Sequence, residues 1–266
     1  MRASKIAWLV GCLLVIGLAG QGRADFVTAT LNGTGLDNTL NPGAYVTINL
    51  GDGLTPSINY KPGVVNWTGS PTNAPALRGA FTTFCLELTQ DISPGATYVY
   101  NLVAMDNAPK PGSAATGGPG GMGATKASEI RQLWTGFHSS IGSDGTKAAA
   151  FQLAIWKIEC DWGTGPAATD LTTGNFRASG NNSATSQAST WLTNLTQNQY
   201  APDPSLMAMS SPSYQDQLVA VPMPAPPGIV LGGSGLVVLL AYAYLIGRLP
   251  RLKCAMAAIA PGRKNS

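Results

Sequence analysis

Two periodicities divide the chain. From Phe26 to Met105, apolar residues rich in β-branched and aromatic types come in short runs: FVTATL, AYVTINL, INY with GVVNW, FTTFCLEL and TYVYNLVAM. NGTG, NPG, GDG and SPG separate them. Side chains alternate faces along a strand, so this spacing predicts strands, and the Gly-, Pro- and Asn-rich tetrads and triads predict the turns. Beyond APKPGSAATGGPGGMG, Ala108 to Gly123, which holds too little apolar material to pack and reads as a loop, the period lengthens. Ile130, Leu133, Trp134 and Phe137 recur at three- and four-residue spacing, as do Phe151, Ala154, Ile155 and Ile158, and then Ala188, Trp191, Leu192 and Leu195. Each set marks one face of an amphipathic helix. Asp144 stands where the second helix needs an N-cap, and YQDQLVAV, Tyr214 to Val221, predicts a last strand. The fold class expected is α+β: mainly an antiparallel β sandwich or barrel-like sheet with an inserted helical subdomain.

Both ends break this pattern with long apolar runs. At the start, Arg2 and Lys5 precede Ile6 to Ala19, and small residues lead to Ala24, the layout of a secretory signal peptide over 1–24. LVGC, Leu9 to Cys12, also resembles a lipoprotein cleavage box, although the apolar run continues past Cys12. Near the other end, 229–246 is uncharged and long enough to cross a bilayer, which takes roughly 17–25 helical residues. Arg248, Arg251, Lys253, Arg263 and Lys264 follow it, so the positive-inside rule puts 247–266 in the cytoplasm. A Pro-rich linker, 221–228, joins this transmembrane helix to an exported domain over 25–220.

These ends change the meaning of the charge. The whole chain carries +3, but eight of its sixteen basic residues lie in the two ends, while all thirteen acidic residues lie between Asp25 and Asp216. The exported domain is therefore acidic, with eight basic residues against thirteen acidic, a net −5. A nucleic-acid partner, which would need concentrated positive charge, is not expected.

Catalytic constellations are scarce. His138 is the only histidine, so a histidine-rich metal site is excluded; it is expected on or beside a helix surface, and neither a metal nor a cofactor is expected. Glu87, Glu159 and Asp161 could form a carboxylate cluster, but nothing in the sequence brings them together, and solvated or strand-face positions are the expectation. An exported hydrolase thus lacks an evident nucleophile–base or carboxylate pair. Two features remain. Once Cys12 and Cys254 are assigned to the ends, Cys85 and Cys160 share an oxidising compartment and can form a disulfide. Gln152 lies amid apolar residues in KAAAFQLAIWKIECD, so either it is exposed or it has a specific partner, because an unpaired buried amide costs roughly 1–3 kcal/mol.

Phe84-Cys85-Leu86 and Phe151-Gln152-Leu153-Ala154-Ile155-Trp156 resemble the two signatures of bacterial surface thioester domains: an aromatic-Cys-aliphatic strand followed by a Gln-x-Ala-Ile-Trp helix. GVVNW, FTTFCLELTQDISPGATYVYNL, IRQLWTGF, AAFQLAIWKIECD and YQDQLV, in that order, are similar to versions of the domain on secreted proteins of Gram-negative bacteria that end in a PEP-CTERM sorting signal. Met223 stands where that signal has glutamate, and the tail is less arginine-dense than usual. The resemblance implies that Cys85 attacks the side-chain carbonyl of Gln152, releasing ammonia and leaving an internal thioester. Phe84, Leu86, Phe151, Ala154, Ile155 and Trp156 would line that site, although for Phe151, Ile155 and Trp156 an ordinary core role at helical spacing is the reading favoured. The bond would capture a surface-protein amine or a glycan hydroxyl once, as a covalent adhesin and not an enzyme. The protein would be anchored to the cell envelope, or released to the cell surface or extracellular matrix after a sorting protease cuts it. The alternative is a structural surface or matrix protein of the same fold, with Cys85 free or bonded to Cys160.

Overall fold

The computed structural model describes residues 26–35, 46–50, 58–60, 62–88, 90–109 and 121–222. The expected signal peptide, transmembrane helix and basic tail lie outside these residues, as does the linker beyond Pro222. By its internal contacts the chain divides into two units, Met1–Pro222 and Met223–Ser266. Among the described residues, no helix is long and apolar enough to cross a membrane.

Among the described residues the fold is α+β, with antiparallel sheets and three α-helices. Six strands close into a barrel in the order β1 (Phe26–Thr34), β4 (Val65–Gly69), β5 (Gly79–Cys85), β9 (Gln217–Ala220), β8 (Leu206–Ser210) and β6 (Thr97–Ala104). A separate sheet has β2 (Val46–Leu50) between β3 (Ile58–Tyr60) and β7 (Phe176–Ser179). The run AYVTINL therefore does not join the barrel. Between β6 and β8 come α1 (Ala124–Phe137), α2 (Gly145–Asp161), β7 and α3 (Asn182–Gln197).

Alternation builds the barrel interior. Val27, Ala29 and Leu31 of β1, Val65 and Trp67 of β4, Tyr98 and Tyr100 of β6, Met209 and Val219 form one buried cluster. Trp67 fills its middle, edge-on to the rings of Tyr98 at 6.0 Å and Tyr100 at 5.9 Å. A second core lies between the outer face of the barrel, the small sheet and the helices. Phe84 and Leu86 enter it from β5 and the residue beyond its end, Phe176 and Ala178 from β7, and Ile130, Leu133, Trp191 and Leu192 from the outer helices.

The axis of this second core is α2. Asp144 caps it as expected, its Oδ1 accepting from the amides of Thr146 at 2.9 Å and Lys147 at 3.2 Å, and the run Ala148 to Ala150 has the highest helix propensity available. The periodicity predicted one apolar face. The structure instead buries every residue from Ala148 to Glu159, because barrel, sheet and two helices surround α2 on all sides. Gln152, Lys157, Glu159 and Asp161 are therefore buried polar groups, each in need of its own account.

Candidate functional site

Gln152 faces Cys85. Strand β5 pairs with β4 only as far as Thr83 opposite Val65, and with β9 at Phe84 and Cys85. Beyond Val65 the β4 side of β5 has no strand to satisfy the Cys85 backbone. The Gln152 carboxamide takes that place: the Cys85 amide donates to Gln152 Oε1 at 2.7 Å, and Gln152 Nε2 donates to the Cys85 carbonyl at 2.7 Å. One side chain from a fully buried helix position thus acts as one rung of a β ladder.

The Cys85 thiol points toward β9. Its Sγ donates to Gln215 Oε1 at 3.2 Å, and Gln217 Nε2 donates to Sγ at 3.8 Å. Cys85 is half-buried overall, yet desolvation pushes the thiol up to about 12; the hydrogen bond from Gln217 opposes that rise and the nearby Glu159 adds to it. Tyr100, whose hydroxyl donates to the Gln215 carbonyl at 3.3 Å, is also raised by burial. Gln215 and Gln217 were not singled out in the sequence reading, although YQDQLV placed them two apart in an expected strand. Two polar side chains on the inward face of a strand were the available signal.

Cys85 and Cys160 are both free thiols, so the disulfide alternative is not formed. Cys160 lies about 12 Å further along α2 than Gln152, at 1.5 Å per residue, while the Cys85 sulfur is turned toward the barrel's glutamines.

The proposed lining residues are all buried. Phe84 precedes Cys85 and so faces the opposite side of β5. Its ring lies 4.9 Å from Phe151 and 6.2 Å from Trp134. Leu86, Ala154 and Ile155 belong to the same core, and Trp156 packs 6.0 Å from Phe176. His138, just beyond the end of α1, stacks on Trp134 at 3.6 Å, and burial lowers its pKa. It faces the aromatic side of β5 and forms part of that packing.

The carboxylates depart from expectation. Glu87, Glu159 and Asp161 are buried, not solvated. Asp161 pairs with Lys157, while Glu87 and Glu159 come together with Asp216, a residue the sequence reading passed over. Desolvation, then repulsion from Glu87, holds Glu159 well above the usual carboxylate range, and neither of its carboxylate oxygens has a hydrogen-bond partner among the described residues. Lys126 meets the backbone carbonyl of Glu159 instead. Among the described residues, no group of three or more His, Cys, Asp or Glu is placed to hold a metal ion.

Asp216 makes this cluster measurable. Burial raises it from 3.8 to about 7, against the opposing hydrogen bond from the Ser211 amide at 2.7 Å. Between those two values the folded state keeps a proton that the unfolded state has released, so stability falls as pH rises from about 4 to about 7 and then levels. Glu159 adds a slope of the same sign. Asp216→Asn retains an oxygen for Ser211 and removes the ionisation. Urea unfolding at pH 8 is expected to show it about 1–3 kcal/mol more stable than the parent, with a flatter pH dependence.

No protein-family model, curated protein or solved structure matches the chain.

Proposed function

We propose that this is an exported surface protein whose Cys85 and Gln152 condense to an internal thioester that captures one amine or hydroxyl nucleophile. The observation that supports this most is the pairing of the buried Gln152 carboxamide with the Cys85 backbone at 2.7 Å through both of its polar atoms. In this reading the helical segment between β6 and β8 serves to deliver Gln152 to the strand.

The chemistry follows from the contacts. Hydrogen bonds in the amide plane leave the faces of the Gln152 carbonyl carbon for attack. Side chains stand roughly perpendicular to a sheet, so the sulfur of Cys85 approaches from outside that plane once it leaves the Gln215 oxygen. The Cys85 N–H already points at Gln152 Oε1, where negative charge develops as sulfur adds, so it serves as an oxyanion donor. When the intermediate collapses, the Cδ–Nε2 bond breaks, the thiol proton leaves on nitrogen, and ammonia departs. The Sγ–Cδ bond remains as the thioester. A raised thiol pKa keeps Cys85 a poor nucleophile toward outside reagents and makes closure slow, in keeping with a reaction that occurs once.

An incoming amine would then bond to Cδ and release the thiol, forming a stable amide. A glycan hydroxyl of a cell surface or extracellular matrix would give an ester. The protein acts once and is not an enzyme. Its tether would be the membrane helix and sorting signal read from the C-terminal sequence.

A second reading has its own support. Both amide bonds of Gln152 are satisfied in the unreacted state, so Gln152 can be a strand-edge cap in a structural surface protein with Cys85 free. Incubation with a biotinylated amine separates the two. The thioester reading expects one label per chain, on Gln152, and its loss in Cys85→Ala. Labelling that is absent in the parent, or unchanged by Cys85→Ala, favours the structural protein.

A further inference from the structure

The sulfur of Cys85 ends a hydrogen-bond chain that begins at a buried indole. Trp67 carries an indole N–H that can only donate, and it donates to Thr83 Oγ1 at 2.8 Å. Thr83 then gives its own proton to Gln217 Oε1 at 2.8 Å. With its oxygen held there, the Gln217 amide must present Nε2 to the other side. It reaches the Cys85 sulfur at 3.8 Å, and the backbone carbonyl and Oε1 of Gln215 at 3.2 and 3.4 Å. A reversed Gln217 would set its own oxygen against the backbone carbonyl and Oε1 of Gln215, so the amide is held in this orientation. Gln215, which accepts the thiol proton, is itself anchored by Nε2 donating to the Glu87 carbonyl at 2.8 Å.

Register explains the convergence. Thr83 and Cys85 are two apart on β5 and share the face that looks into the barrel; Gln215 and Gln217 are two apart along the segment that enters β9, and Cys85 is the direct partner of Gln217. Trp67, Thr83, Gln215 and Gln217 are all buried, so no bulk water competes for these bonds. Trp67 of β4, Thr83 of β5 and Gln215 beside β9 thus hold the Gln217 amide with its Nε2 toward the sulfur.

We infer that Gln217 assists the single-use thioester chemistry by stabilising negative charge on the Cys85 sulfur, with Thr83 and Trp67 as the positioning residues that orient it. Its part in that chemistry rests on the thioester reading, whereas the hydrogen bond acts on the free thiol as well. In the capture step the amine nitrogen bonds to Gln152 Cδ, the Cδ–Sγ bond breaks, and its electron pair stays on sulfur. The amine's proton ends on that sulfur and restores the thiol, so no oxidant or reductant is needed. Leaving-group ability is therefore limited by how well the site bears a transient thiolate. Near it, Glu159 of α2 disfavours that charge, and the acidic hydroxyl of Tyr100 on β6 is coupled to the same thiol in the same sense. The Gln217 N–H opposes them.

The test uses the full chain with Cys12, Cys160 and Cys254 changed to serine, treated with methylamine so that Cys85 is free whether or not a thioester had formed. After removal of the amine, alkylation of Cys85 by iodoacetamide is timed from neutral to strongly alkaline pH. Gln217→Glu is expected to slow alkylation at a given pH by about tenfold and to move the profile to higher pH, as loss of a hydrogen bond to a charged group requires. Thr83→Val should shift it in the same direction by less, and Thr83→Ser should restore the parent profile. Parent-like profiles for both Gln217→Glu and Thr83→Val would overturn the inference. Should Gln217→Glu not melt cooperatively, the Thr83 pair decides: a slowed valine variant beside a parent-like serine variant supports it, and identical behaviour of the two overturns it. Failure of the thioester reading shows separately, as no mass gain in the methylamine step.

Discussion

Replacing Gln152 by alanine is expected to destabilise the domain by roughly 3–5 kcal/mol, because it strands a buried N–H and a buried C=O of Cys85 and leaves a cavity in the core. Both bonds are short, and Gln152 is fully buried, so no water is at hand to replace the carboxamide. Gln152→Glu separates polarity from volume. A neutral carboxyl group can accept from the Cys85 amide and donate to its carbonyl, whereas a carboxylate can only accept and would face that carbonyl oxygen unfavourably. The introduced acid should therefore hold its proton more tightly in the folded than in the unfolded state. Its variant should be close to the parent at acid pH and lose stability as pH rises from the ordinary glutamate range through the folded value. Urea unfolding between pH 4 and pH 8 checks this. An alanine variant that loses under 1 kcal/mol would mean that the Cys85 backbone finds other partners, and the strand-rung account of Gln152 would fail.

Lys157→Met is expected to have a comparable effect for a different reason. The ammonium group has three donors and three acceptors: Asp161 Oδ2 at 2.6 Å, the Thr173 carbonyl at 2.6 Å and the Phe176 carbonyl at 2.8 Å. Asp161 in turn accepts from the amides of Asn175 at 2.7 Å and Phe176 at 2.9 Å. The pair is a clamp on the segment that leads into β7, and Gly174 lies inside it with φ +85°. A Cβ there would come within 2.6 Å of Asp161 Oδ2, so no larger residue fits without displacing the clamp. Removing the lysine leaves a buried carboxylate with no countercharge, which costs roughly 3–5 kcal/mol. For an ordinary buried pair, deleting both partners recovers much of this. Here Lys157→Met combined with Asp161→Leu should recover little, because the Thr173 to Phe176 backbone loses its partners as well. Hydrogen exchange at the Asn175 and Phe176 amides, slow in the parent and fast in both variants, would localise the damage.

Much of the architecture was legible because burial repeats along the chain. The expected strand runs from FVTATL through TYVYNLVAM each overlap an observed strand, and Asp144 caps α2 as its side-chain chemistry predicts. What periodicity missed depends on neighbours distant in sequence. LMAMS and FRAS lack β-branched residues, and β8 and β7 exist because β6 with β9, and β2, lie beside them. FTTFCLEL reads as strand through Leu88, but pairing ends near Cys85, where a helix side chain replaces the next strand. One-faced amphipathicity was the wrong expectation for α2 because alanines make every face compatible with burial. That error mattered most for the polar residues: Lys157, Glu159 and Asp161, which a surface helix would leave in water, became a clamp and part of a carboxyl cluster. At the site, the sequence named Cys85 and Gln152 and left open whether they meet. It did not mark Gln215, Gln217 or Thr83, since a glutamine's partners depend on strand register, not on its own neighbours.

The intact mass of the purified chain tests the Cys85–Gln152 bond most directly. The account predicts a chain lighter than its reduced sequence by one ammonia, which gains one methylamine on exposure to that amine and at the same time releases one thiol, with the adduct on Gln152. A mass equal to that of the plain reduced sequence, unchanged by methylamine and with Cys85 titrating as a thiol throughout, would contradict it.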